Sequence, residues 1–376
     1  MSVPPKRVLE NTEKIDWLRL IRSNNVGPIT FFRLLEHFGT AQAALDALPE
    51  FSRRGGGKMI KPASRAAAER EIDQVNTLGA KLIAWGEPGY PPLLHHIEDP
   101  PPLINVLGHS HLLTKKTIAI VGARNASING RKFSKKMAQG LGAGGLMVCS
   151  GMARGIDAEA HSGALETGTV AVLAGGVDIV YPKENQALYD ELIERGTVIS
   201  EIAPGTKPQA RHFPRRNRII SGMARGVVVI EAGARSGSLI TARMALEQGR
   251  EVFAVPGAPG DPRSLGGNSL IRSGATLVES AENVFEVLNG LSPTPLRETK
   301  ALDFKQNSPT IPDQKLIENA RPIVEESLGI ESVTVDEIIR NCQLSLPVVS
   351  IVLLEMELAG RLERHPGNRV SIIPSI

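Results

Sequence analysis

Four arginines fall within eight residues in RHFPRRNR (Arg211, Arg215, Arg216 and Arg218), with Phe213 among them. Guanidinium groups bind phosphate bidentately and an aromatic ring can stack on a base, so this segment suits nucleic acid. Internal pairing competes for the same arginines, and Glu201, Glu231 and Asp157 are the expected partners. Two further cations stand at the ends of apolar runs: Arg124 in VGARNAS and Lys183 in YPKEN. Both are expected at the edge where strands end, where phosphate contact is favoured over a solvated surface role.

Around these cations lie glycine-rich loops: VGARNAS, SGMARGID, AGGVDIVYPKEN, GARSGSLITA and PGAPGD. None of these loops is a GxGxxG, and no GxxxxGK[ST] occurs, so none of them carries a standard nucleotide fingerprint. Neither HExxH nor CxxC is present, which leaves no metal motif, and GxSxG is missing too. No cofactor is expected. Several amide- and hydroxyl-rich loops together suit an extended chain of phosphates better than one pyrophosphate. The carboxylates that could act as acid or base are Asp157, Asp178, Glu201 and Glu231, and capping or arginine pairing is the expected role of each. His161 shows no nucleophile–base constellation in the sequence.

The elements that must position these residues are legible as a pattern. Apolar runs bounded by glycine (KLIAW, TIAIVGA, LMVCSG, TVAVLAGG, TVISEI, GVVVIEAG, EVFAVPG, ATLVES) alternate with helical stretches from about 66 to 290. That pattern predicts an α/β fold with a doubly wound, mostly parallel sheet, whose ligands bind beyond the carboxyl ends of the strands. The hexapeptide SGMARG occurs twice, at Ser150–Gly155 and Ser221–Gly226. The first copy follows a strand-like run and opens a helix; the second ends a helix and precedes a strand. Opposite roles and unlike flanks argue coincidence, with the first copy lining a site.

Residues 1–65 read as a helical domain. Its NNVGP turn suits either a helix-hairpin-helix offering amides to phosphate or a plain αα-hairpin. The basic, glycine-rich RRGGGKMIKPASR reads as a mobile loop or linker. Residues 66–290 form the sheet domain, 291–310 a proline-bearing linker, and 311–376 a winged-helix pattern that could bind DNA or protein. The longer helix of that last domain carries no Lys or Arg, which weakens a major-groove role.

Globally, 376 residues with 41% hydrophobic and 22% charged content fit a soluble globular protein of two or three domains. The net charge of +3 is small, so a nucleic-acid role must rest on where charges sit. Two cysteines, Cys149 and Cys342, lie far apart in apolar stretches, which predicts a reducing cytoplasm without disulfides. The N-terminal MSVPPKRVLENTEK has no apolar signal region, and no run reaches the roughly 20 apolar residues of a membrane span.

Together, YPPLLHHIEDPPPLINVLG, IAIVGARNAS, SGMARGIDAEAH, VAVLAGGVDIVYPKEN, ISEIAPGTKP, HFPRRNRIISGMA, VVVIEAGARSGSLITA, AVPG and GGNSLIRSGA resemble the DNA-processing protein A (DprA, or Smf) family over about 85–290. The resemblance implies an extended Rossmann-like core, flanked by a SAM-like helical domain and a winged helix. It implies binding of single-stranded DNA, a homodimer, and loading of the RecA recombinase onto incoming DNA in natural transformation, without catalysis. It places DNA contacts at Arg124 and Lys183, and loop contacts at Ser150, Gly151, Arg154, Gly155, Phe213, Arg216, Asn217, Ser221, Ser236 and Ser238. Ala123 departs from the small hydroxyl residue common at that turn, which removes one hydroxyl contact. The competing readings are a nucleotide-processing hydrolase on the same fold, with Glu231 as base, and a duplex-DNA binder acting through the winged helix.

Overall fold

The computed structural model describes residues 7–290, 313–365 and 367–373, so the expected linker at 291–310 lies outside the described residues. The chain opens with helices α1 (Asn11–Ile21), α2 (Pro28–Phe38) and α3 (Ala41–Arg54). Their apolar residues recur at helical spacing, and Leu18, Phe31, Leu34, Leu45 and Leu48 are fully buried or nearly so. Pro28 starts α2, where its missing N–H has no helical partner to lose, and Thr40 caps α3 by accepting from the Ala43 amide. Helix α4 (Arg65–Thr77) leads into the sheet.

The sheet contains β1 (Lys81–Ala84), β2 (Leu103–Gly108), β3 (Thr117–Gly122), β4 (Met147–Ser150), β5 (Thr169–Val172), β6 (Thr197–Ser200), β7 (Gly226–Ile230), β8 (Glu251–Ala254) and β9 (Thr276–Leu277). Their order is β1-β2-β6-β5-β4-β3-β7-β8-β9. From β6 to β9 every pairing is parallel, whereas β2 runs antiparallel to both β6 and β1. Every residue of β4, β5, β6 and β7 is buried, which is why these strands read as continuous apolar runs rather than alternating ones. The connecting helices are α5 (Ile128–Ala143), α6 (Ile156–Ala164), α7 (Gln186–Arg195), α8 (His212–Met223), α9 (Gly237–Glu247), α10 (Leu265–Arg272) and α11 (Ala281–Gly290). Helices α5, α6 and α11 close one core, with Leu141, Ile156 and Val284 packed against Ile118, Ile120 and Val228. Helix α8 lies over β3, β4 and β5 and packs against α9.

The chain winds outward from β3 through β4 to β6, then returns to β7 on β3's other side. The strand order therefore reverses between β3 and β7, and the loops leaving those two strands diverge around a crevice. Strand β2 is the element the sequence pattern passed over. It is entered through three prolines and pairs antiparallel at the border of the sheet, outside the glycine-bounded β–α alternation.

The remaining elements are α12 (Gln314–Glu326), β10 (Val333–Thr334), α13 (Val335–Cys342), α14 (Leu346–Leu358), β11 (Leu362–His365) and β12 (Arg369–Ile372), a winged helix with a three-stranded sheet β10-β12-β11. A capping box between Thr334 and Glu337 starts α13. By packing, the described chain forms two compact units: residues 69–290 with the few before α1, and residues 11–68 together with 313–373. Within the second unit, α14 is buried along nearly its whole length, against α12 and α3. Thr30 Oγ1 donates to Glu357 Oε1 at 2.7 Å, Asn25 Nδ2 to the Leu358 carbonyl at 3.0 Å, and Arg361 Nη1 to the Gly55 carbonyl at 3.2 Å. Burial pushes the Glu355 carboxyl upward, opposed by Arg321, whose Nη2 lies 2.6 Å from it.

This packing corrects the reading of RRGGGK as a mobile loop. Arg53 and Arg54 end α3, and the glycines after them lie against α14. A Cβ on Gly55 would sit 1.9 Å from the Glu355 carbonyl oxygen, and one on Gly57 would sit 2.6 Å from the Ala359 Cα. The glycines are there for close backbone approach.

Candidate nucleic-acid interface

The carboxyl edge of the parallel sheet is built mainly from backbone. Gly155, at φ +77, ends the loop after β4; a Cβ there would meet the carbonyl oxygens of Ala123 and Arg124 at 2.4 and 2.7 Å. The loops after β3 and β4 therefore touch directly, and only glycine permits it. Buried Asp157 holds the same loop by accepting from the amides of Gly151 (3.2 Å) and Ala153 (3.4 Å). Burial pushes its carboxyl upward, while the neighbouring Arg216 charge opposes the shift. Asn185 Nδ2 donates to the Met152 carbonyl at 2.9 Å, tying the Lys183 turn to this loop.

The arginine cluster divides. Arg216 is 6% exposed and reaches inward, donating to the Gly151 carbonyl and, at 2.6 Å, to that of Val172. Gly151 makes room for it: a Cβ would lie 2.1 Å from Arg216 Nη1. Arg218 is likewise buried, hydrogen-bonded to Glu201 and the Asp99 carbonyl and 3.3 Å from the Asp99 carboxylate. Arg211 and Arg215 are exposed. Of the three expected internal partners, Glu201 pairs with Arg218, while Asp157 feels the Arg216 charge but bonds to backbone amides. Glu231 instead accepts from the amide (2.8 Å) and hydroxyl of Ser127, beside the start of α5.

Between the loop after β3, the start of α8 and the start of α9 a cleft of about 370 Å3 is open to solvent. Arg124 is exposed, with its guanidinium carbon 5.3 Å from the centroid of the Phe213 ring, a cation–π distance. Asn217 lines the same cleft. Ser236 caps α9 by accepting from the Ser238 amide, and its hydroxyl lies 2.7 Å from that of Ser238, so the positive end of a helix dipole, carrying two hydroxyls, faces the cleft. Beside it, Arg154 and Tyr181 border a smaller depression that shares Arg124 and Phe213. Arg154 lies 3.5 Å from Glu184, both largely exposed, and Lys183 is exposed in the adjoining turn.

Two residues from the sequence-derived set point elsewhere. Ser150 is fully buried and donates to the Ile120 carbonyl at 2.6 Å. Ser221 is fully buried within α8, with its hydroxyl on the carbonyls of Asn217 and Arg218. The structure thus brings Arg124, Arg154, Gly151, Phe213, Asn217, Ser236 and Ser238 to neighbouring clefts, and buries Gly155 against the loop after β3. It gives Ser150, Arg216 and Ser221 internal partners. Tyr181 and Asn185 were missed by sequence reasoning, although both stand in the same YPKEN stretch as Lys183.

The remaining carboxylates also have internal work. Asp178 accepts from the Gly205 amide at 2.9 Å, so Asp157, Asp178, Glu201 and Glu231 are all engaged in holding loops or arginines. His161 is buried with Nδ1 2.7 Å from Thr169 Oγ1, and burial pushes its pKa down to about 3, so the ring is neutral near pH 7.

Three family models match in chain order: a DprA-like N-terminal HHH domain over residues 11–73, DNA recombination-mediator protein A over 81–289, and a DprA winged helix domain over 308–368. The chain belongs to the DprA family. It is 36% identical to Protein Smf of Escherichia coli over 366 residues, covering 95% of each chain. To the DNA processing protein DprA of Streptococcus pneumoniae it is 47% identical over 197 residues, or 52% of this chain and 70% of that one. A solved structure of the pneumococcal DprA superposes with a TM-score of 0.61 at 35% identity, covering 74% of this chain and 98% of that one. DNA processing protein A from Helicobacter pylori, whose structure is described for its single-stranded DNA binding mode, superposes with a TM-score of 0.52 at 25% identity, covering 56% and 96%. Membership of the DprA family assigns the chain a role in DNA processing and recombination. Among the described residues, no single helix is long and apolar enough to cross a membrane.

Proposed function

We propose that this chain is a non-catalytic, cytoplasmic single-stranded DNA-binding protein that protects incoming strands and loads RecA onto them as a homodimer. The observation that carries the reading is the cleft where Arg124 lies over Phe213 beside the start of α9. It combines a cation for phosphate, an aromatic face for a base and the hydroxyl-bearing positive end of a helix, the ingredients of sequence-tolerant single-strand binding. In this reading Arg124, Arg154, Lys183, Phe213, Asn217 and Ser236 touch the strand, together with the amides near Gly151 and Gly155. Ser150, Arg216, Ser221 and Ser238 hold the frame. The engagement of Asp157, Asp178, Glu201 and Glu231 in structural bonds favours binding over hydrolysis, and the single-strand binding of the Helicobacter relative supports the ligand.

The test is fluorescence anisotropy with labelled poly-dT and a matched duplex. The single strand is expected to bind preferentially, and Arg124→Ala to weaken it by about tenfold or more, with unchanged circular dichroism. Equal binding of both nucleic acids, or an Arg124→Ala variant of undiminished affinity, overturns the assignment. Faster RecA filament assembly on strands carrying the protein supports delivery; no acceleration removes that part.

A further inference from the structure

Aromatic residues are scarce in this chain, at 4%. Among the described residues, Tyr181 is the one Phe, Tyr or Trp that is exposed, at 49%. The other two tyrosines behave as buried tyrosines usually do: Tyr90 donates to the Pro101 carbonyl and Tyr189 to that of Val177. Tyr181 instead stands beside Phe213, with ring centroids 5.7 Å apart and planes tilted by 57°. Phe213 in turn carries the Arg124 guanidinium.

Tyr181 lines the depression with Arg124 and Arg154, and it also lines the next one, over Gly175 and Pro208 beyond β5. With Gly151, Phe213 and Arg216 it forms the wall they share, and it is the more exposed of the two rings there. A strand tracking along the carboxyl edge from the β3 loop toward β5 must pass over this ring. An exposed aromatic flanked by Arg154 and Lys183 is placed for a base, because each phosphate held by a cation carries a base that needs a flat partner.

We propose that Tyr181 and Phe213 form a two-ring platform on which bases of the bound strand stack, with Tyr181 extending the binding track past the Arg124 cleft. This rests on the single-strand reading above. Stacking acts on bases and not on phosphates, so the two rings contribute base-dependent, salt-independent affinity, whereas the cations contribute the reverse.

The experiment compares a dT oligonucleotide with an abasic oligonucleotide of equal length, across a salt titration, for the full chain and its Tyr181→Ala and Tyr181→Phe variants. Tyr181→Ala is expected to weaken dT binding by about tenfold, to leave the salt dependence unchanged and to lose little on the abasic strand. Tyr181→Phe is expected to bind like the unaltered protein, since the ring and not the hydroxyl stacks. Equal weakening of Tyr181→Ala on both strands, or dT affinity like that of the unaltered protein, overturns the proposal while leaving the single-strand reading standing if Arg124→Ala still loses affinity. Failure of the unaltered protein to bind dT overturns both.

Discussion

Gly151 and Arg216 illustrate how far residue types alone could go. Both belong to motifs that suit phosphate, yet here they are fitted to each other. The guanidinium occupies the space a Cβ would take, and its hydrogens go to the Gly151 and Val172 carbonyls. Arg218 lies three residues from exposed Arg215 and is nonetheless buried, because Glu201 and Asp99 meet it. Spacing within RHFPRRNR could not separate these roles, since the partners come from segments up to 119 residues away. A residue-scale consequence follows for Gly151→Ala. The added methyl must displace Arg216 and leave buried carbonyls unpaired, a loss of about 2–3 kcal/mol from bonds to a charged donor. Urea unfolding of the variant should show that loss as a lower midpoint with an unchanged slope. A midpoint within a few tenths of the unaltered protein's value would mean that the loop yields freely and that Arg216 is not its anchor.

At the scale of elements, strands β3 to β8 were legible because each is a buried, glycine-bounded run in a β–α alternation. Strand β2 was not, because prolines introduce it and it pairs antiparallel. The glycine run after α3 was misread for a different reason. Its partner, α14, lies some 300 residues away, and no local pattern distinguishes a glycine kept for close approach from one kept for flexibility. The two cases predict different chemistry. Gly55→Val should force the Glu355 carbonyl aside, an overpacking effect of about 1–3 kcal/mol, and thereby lower hydrogen-exchange protection of α14 by about tenfold or more. Gly27→Ala, at a cap with nothing within 4 Å of the added methyl, should cost at most about 1 kcal/mol of capping and leave the exchange of α14 unaltered. Unaltered exchange in Gly55→Val would restore the view of this stretch as a linker. The same packing explains why α14, a winged-helix element without Lys or Arg, is apolar on nearly every side: it is a core helix of its unit.

For the whole molecule, a net charge of +3 provides little long-range attraction for a polyanion, so affinity must come from the cations gathered at one edge of the sheet. Arg124, Arg154 and Lys183 are exposed there or beside it. Each phosphate neutralised on a single strand contributes about −0.7 to the slope of log K against log salt, so three contacts predict a slope of about −2. Lys183→Ala should reduce its magnitude by about 0.7. Lys115 and Lys116 are an internal control. They are equally exposed, but they precede β3 and therefore sit at the amino edge of the parallel strands, opposite Arg124. Replacing both with alanine changes the net charge by twice as much as Lys183→Ala does. If binding is local to the carboxyl edge, that double variant should leave the slope where it was. If it flattens the slope as much as Lys183→Ala, the strand is held by diffuse surface charge, and the glycine-built edge is not where it lies.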